Sequence, residues 1–180
     1  MAMLLERGYN DLGIASLLAA TDTPKGSFYY HFKDKEDFAL QAIGQYMGQV
    51  HEALDQCLAD ENFPPLLRVR RFFETVQESY RQEGYLGCLL GGLGQELAGI
   101  SVVFRSKIDD CLSQIAERIG GCLRIALDAG DLPAGSDPDH LAGLLVDCWE
   151  GAALRSRLRG DSSSLTAMLD FYFRSAVVPV

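Results

Sequence analysis

The spacing of the apolar residues constrains this chain more than any other feature. Leu66, Val69, Phe73, Val76 and Tyr80 recur at alternating steps of three and four, which places them in one stripe along an α-helix. The same steps return in Ile43, Tyr46, Val50, Leu54 and Cys57, and again in Ile108, Leu112, Ile115, Ile119 and Leu123. Nowhere do Val and Ile alternate with polar residues over several positions, as a half-buried strand would require. An all-α fold is expected.

Punctuation divides the pattern. Breaks at Gly8, at residues 21–24, 62–65, at Gly84, and at residues 130–138 and 160–162 leave helices over residues 11–20, 24–31 and 34–60, a helix opening at Pro65, and helices over 87–98, 102–128, 137–157 and 163–177. Pro65 and Pro138 suit the first turn of a helix, where the missing N–H costs nothing. Asp137 is a candidate N-cap and Gly130 a candidate left-handed C-cap. The last two helices, with Leu141, Leu144, Leu145, Cys148, Trp149 and Ala152 on one and Leu165, Met168, Leu169, Tyr172 and Phe173 on the other, suit packing on several sides. They either form half of an intersubunit four-helix bundle or close the core of a monomer.

The chain has 180 residues, room for a small head and a larger body. Its five cysteines are odd in number and none form Cys-x-x-Cys, which argues against a disulfide framework or a structural zinc. No metal and no cofactor is expected. No apolar stretch is long enough to cross a bilayer, and the first residues lack the cationic start and apolar core of a secretory signal, so a cytoplasmic location is expected.

The formal charge of −9 would repel nucleic acid as a whole. Positive charge is local instead: residues 24–35 carry Lys25, His31, Lys33 and Lys35 against the single acid Asp34. That patch lies in two short helical stretches joined by a polar turn, Thr21-Asp22-Thr23. Asp tolerates the left-handed backbone such turns need, and Thr23 is a candidate N-cap ahead of Pro24. Lys25, Gly26 and Ser27 are small or basic, so a helix tip built from them can enter a major groove and present N–H groups to phosphate. Three polar-tipped rings in a row, Tyr29, Tyr30 and His31, cannot all face one core. Ile14, Leu17 and Leu18 are expected to bury against Phe28, Phe32 and Phe38.

The run Gly8-Tyr9, Gly13-Ile14 and Pro24-Lys-Gly-Ser-Phe-Tyr-Tyr-His-Phe-Lys-Asp-Lys-Glu-Asp-Phe38 resembles the DNA-binding head of the tetracycline-repressor family. The resemblance implies a helix-turn-helix head over residues 1–35, whose first helix is cut short, and a ligand-sensing and dimerising body over residues 36–180. It implies that Thr23, Lys25, Gly26 and Ser27 lie at the groove, that Tyr29, Tyr30 and His31 touch bases or phosphates, and that Lys35 holds a phosphate. Asp22 and Thr23 stand where relatives usually have Gly and an apolar residue. The segment from Gly87-Cys88-Leu89-Leu90-Gly91 to Gln95-Glu96-Leu97 resembles a sub-group in which some members respond to small electrophilic or unsaturated carbonyl compounds.

The function implied is a ligand-responsive repressor that binds a palindromic operator in double-stranded DNA as a homodimer, through the last two helices, and is released by a small molecule. The helix over 34–60 would tie head to body, so that tilting it changes the distance between the two heads of the dimer. Candidate walls for the ligand are Phe72, Tyr80, Cys88, Phe104, Trp149 and Glu150. Cys88 opens a Gly-rich helix, and a helix N-terminus favours thiolate; the alternative is a small buried thiol. An enzyme built on Glu96, His140 or Glu150 lacks any nucleophile–base spacing, metal cluster or phosphate loop. A helical adaptor or sensor that has lost DNA binding is the other alternative.

Overall fold

The computed structural model describes residues 1–176, which contain helices and no strand. In chain order these are α1 (Ala2–Asp11), α2 (Ile14–Ala20), α3 (Lys25–His31), α4 (Lys35–Leu58), α5 (Pro65–Gln82), α6 (Leu89–Leu97), α7 (Val102–Asp128), α8 (Pro138–Arg159) and α9 (Ser163–Phe171), followed by a wider π-type turn over Tyr172–Ala176. The helix expected over 163–177 therefore changes character after Phe171, and its last position lies outside the described residues.

The caps explain the boundaries. Asp34 caps α4 by accepting the N–H of Asp37 at 2.9 Å, while Asp37 reaches back to the N–H of Lys33, just ahead of the cap, at 2.9 Å, a box-like pair that fixes the entry to the helix. Asp137 accepts the N–H groups of Asp139 and His140, each at 3.1 Å, as its position ahead of Pro138 foretold. At the end of α7, Gly130 takes φ +81°; its N–H bonds to Leu127 and that of Asp131 to Ala126, the paired bonds of a Schellman ending. One expectation shifts by a residue. Pro24 occupies the cap of α3, and the Thr23 hydroxyl turns back to the Thr21 carbonyl at 3.3 Å.

The stripes read from sequence meet in one core. α7 and α8 pack along their lengths, with α4 and α5 against α7 and α9 against α8. Val69, Phe72 and Phe73 of α5 meet Ile115, Ile119 and Leu123 of α7 and Trp149 of α8 among the buried residues. The Trp149 ring lies 4.8 Å from Phe73 and 6.0 Å from Tyr80, centroid to centroid. Burying rings of this size is worth roughly 1.5–3 kcal/mol each. Arg118 of α7 donates to the His51 carbonyl at 3.2 Å and pairs with Asp55, tying α7 to α4. No helix among the described residues is long and apolar enough to cross a membrane.

The head is less tightly closed. Phe28 is buried, and its ring lies 5.1 Å from Phe32 and 5.9 Å from Phe38. Phe32, Phe38, Ile14, Leu17 and Leu18 are only partly buried. An open groove of about 320 Å³ runs between α2 and α3 over Leu17, Leu18, Phe28 and Phe38. The expected aromatic packing forms, but with space between the two short helices.

Candidate nucleic-acid interface and body cavity

The turn between α2 and α3 is set by Asp22 at φ +48°, the left-handed conformation the sequence anticipates there. The Thr23 N–H closes it by bonding to the Leu18 carbonyl at 3.0 Å. α3 then projects outward on Phe28, its one buried residue. Lys25, Gly26, Ser27, Tyr29, Tyr30 and His31 are exposed, and a side chain added at Gly26 would meet open space. Tyr30 is 83 % exposed, although an aromatic ring normally seeks cover. The His31 ring stands edge-on to Tyr30 at 4.9 Å, and the Lys25 ammonium lies 6.0 Å from the Tyr29 ring. Thr23 is half-buried at the foot of this surface.

Lys35 is placed differently from Lys25. Its ammonium sits 4.4 Å from the centre of the Tyr9 ring and 3.5 Å from the Asn10 carbonyl. It joins the start of α4 to the end of α1, at the edge of the exposed α3 surface.

In the body, Cys88 and Glu150 stand between two spaces. The outer one, of about 470 Å³, runs between α6 and α8 and is lined by Cys88, Gly91, Gly92, Gln95, Glu150 and Arg157 among others. The inner one, about 30 Å³, lies within the aromatic cluster of Tyr46, Phe72, Phe73, Tyr80 and Trp149 and again touches Cys88 and Glu150. Of the six expected wall residues, Phe72, Tyr80, Cys88, Trp149 and Glu150 thus come together. Phe104 does not. It is buried at the start of α7 with its ring 5.2 Å from Tyr9, because that end of α7 packs against the head.

The chemistry at Cys88 favours the small buried thiol over the activated thiolate, the two readings the sequence leaves open. Burial, followed by the negative charge of Glu150, pushes the thiol up to about 12. The Tyr46 hydroxyl lies 3.7 Å from its sulfur. Burial also raises Glu150 above its ordinary 4.5 and lifts the Tyr46 and Tyr80 hydroxyls well above theirs. Burial therefore disfavours the charged form of each of these groups along the inner wall, which is otherwise aromatic. The N-terminus of α6 does not outweigh the loss of water.

Sequence reasoning missed two partners. Tyr46 stood on an apolar stripe, and nothing local marks it as the neighbour of Cys88, 42 positions away. Glu96 accepts the backbone N–H groups of Tyr9 and Asn10, 87 and 86 positions distant. Among the described residues no group of three His, Cys, Asp or Glu could hold a metal.

Comparison with known proteins agrees with this architecture. Residues 1–42 match the family model for bacterial regulatory proteins of the tetR family, and residues 65–171 match that of the tetracyclin repressor-like C-terminal domain. The chain is 38 % identical over 156 residues to the transcriptional regulator AcuR of Cereibacter sphaeroides, covering 86 % of this chain and 71 % of that protein. It is 30 % identical over 173 residues to the HTH-type transcriptional repressor DhaR of a Mycobacterium species, covering 96 % and 86 %. The crystal structure of a regulatory protein TetR from Rhodobacter sphaeroides superposes with a TM-score of 0.91 at 36 % identity, over 96 % of this chain and 92 % of that one. The chain belongs to the tetR family of bacterial transcriptional regulators.

Proposed function

We propose that the chain is a ligand-responsive repressor that grips a palindromic operator as a homodimer and is released by a small molecule. The observation that carries this reading is α3, a seven-residue helix whose Lys25, Gly26, Ser27, Tyr29, Tyr30 and His31 are all exposed around a single buried Phe28. Exposed rings and a free glycine on a basic tip fit a helix made for a groove better than one made for a core. Thr23 supports the tip from the turn, and Lys25 meets phosphate. Lys35, held on Tyr9, positions the end of α1 and reaches phosphate from the edge. The relatives named repressors support repression over activation.

The exposed face of α8 supports dimerisation through the last two helices. Leu144, Cys148, Gly151 and Leu158 follow one another at steps of four, three and seven, and all are exposed. Phe171 of α9 is 69 % exposed and Leu158 68 %. Two such faces would bury each other as a four-helix bundle. The outer cavity is walled in part by Leu154 and Leu158, so a second subunit would cover its mouth. Its volume falls in the range of small-molecule sites, roughly 300–1,000 Å³. We assign Cys88, Glu150, Tyr80, Trp149 and Phe72 to the ligand, with the segment from Gly87 to Leu97 as sensor. The head over residues 1–35 then moves on α4, about 36 Å of helix at 1.5 Å per residue. Filling the cavity changes the distance between heads that must match half-sites about one helical turn apart.

A gel shift of the full chain with the DNA upstream of its own gene, titrated with salt, tests the reading. A steep loss of binding with salt is expected. Absence of any shift would refute it and favour a helical protein that no longer engages DNA.

A further inference from the structure

One carboxylate bridges the head and the body. Glu96, in the last turn of α6, accepts the N–H of Tyr9 at 2.7 Å and that of Asn10 at 2.5 Å. The chain reaches this cradle through Gly8, where the helical path of α1 is broken by φ +75°. A Cβ at position 8 would lie 2.6 Å from the Glu96 carboxylate, so glycine is required both for the backbone angle and for the close approach. Other contacts surround the same junction. The Tyr9 ring lies between Phe104 and the Lys35 ammonium, and Arg157 of α8 donates to the Glu6 carbonyl at 3.3 Å.

We propose that Glu96 is a positioning residue for DNA binding, its carboxylate fixing the orientation of the head on the body. Two successive N–H groups bound by one ionised carboxylate make a charge-assisted, two-point contact, which sets an angle as well as a distance. Leu4, Leu5 and Leu12 supply apolar packing at the same junction, which is not directional; the two hydrogen bonds add an angular constraint. Glu96 also stands one helical turn beyond Gly92 and next to Gln95, both on the wall of the outer cavity. A shift of that turn reaches the head through the same oxygens. The inference rests on the head being the DNA-binding part.

The test uses the full chain and two readouts. Amide hydrogen exchange over residues 8–11 is compared with exchange in α7 for wild type, Glu96→Ala and Glu96→Gln, and operator binding is measured on the same samples. Glu96→Ala is expected to speed exchange over residues 8–11 about tenfold with α7 unchanged, and to weaken operator binding about tenfold. Glu96→Gln, which keeps an acceptor oxygen but loses the charge, should recover part of both. Unchanged exchange in Glu96→Ala would overturn the contact, and faster exchange with unaltered operator affinity would overturn its positioning role. A wild-type chain that binds no operator refutes the DNA reading instead, and the exchange arm still decides the contact.

Discussion

Gly91 and Glu150 face each other so closely that the Glu150 carboxylate occupies the place a side chain at position 91 would take. The glycine in α6 is therefore the receptor for an acid on α8, and the pair forms part of the wall between the two body spaces. In an ordinary helix, Gly→Ala stabilises by about 1 kcal/mol. Here Gly91→Ala should stabilise by that amount only when Glu150 is also Ala, and by less in wild type, where the carboxylate must swing aside. Thermal unfolding of the four variants in a double-mutant cycle checks this. A coupling of zero would mean the two residues do not meet.

Burial raises the Glu150 carboxyl above its ordinary 4.5. The native state then keeps a proton that the unfolded chain releases. The stability this brings is complete below the unfolded value and is lost as pH rises through the higher folded one. Glu150→Gln, which cannot ionise, should lose less thermal stability than wild type as pH rises above the ordinary carboxyl value of 4.5. Parallel Tm curves for the two proteins would count against a buried acid.

With the Cys88 thiol near 12, its thiolate at about pH 8 is on the order of one part in ten thousand. Cys88 should alkylate more slowly than the exposed Cys148, as read by mass spectrometry of the separate peptides. Glu150→Gln removes a neighbouring negative charge and should speed Cys88 selectively. A Cys88 that reacts fastest of the five would restore the activated-thiolate reading.

Lys25 and Lys35 should differ in their effect on DNA binding. Lys25→Ala is expected to weaken binding to all sequences and to lower the slope of log affinity against log salt by about one. Lys35→Ala, which removes a cation–π contact worth roughly 0.5–1 kcal/mol, should lower the melting point of the head as well. Ser27→Ala and Tyr30→Ala should weaken operator binding more than random-DNA binding, measured by competition. Equal losses on both DNAs would argue that these two side chains touch only backbone.

Leu158→Glu should turn a dimer into a monomer with its helix content intact, read by sedimentation and circular dichroism. Both Leu158 and Phe171 are largely exposed in the single chain, so a charge there costs the monomer little. A variant that stays dimeric would place the interface elsewhere.

Helix positions were legible because they depend on residues within four places of one another. Asp137 ahead of Pro138 and Gly130 behind α7 act through their own backbone neighbours, and an apolar stripe announces its face without its partner. The basic tip of α3 was legible for the same reason: Lys25 to His31 share one short helix, and three adjacent rings must splay outward. Even the box of Asp34 and Asp37 could have been read from its spacing. What only the tertiary structure decided is which stripe meets which. Phe104 looks in sequence like any core aromatic, yet packing sends it to Tyr9 and away from the cavity. Cys88 in sequence is either an activated thiol at a helix start or a small buried one, and the choice turns on α8, which brings Glu150 beside it and excludes water. Glu96 finds its two N–H partners across nearly half the chain. A side chain's local conformation is set by its sequence neighbours, but its charge state and its mechanical role are set by what packing brings within hydrogen-bonding distance.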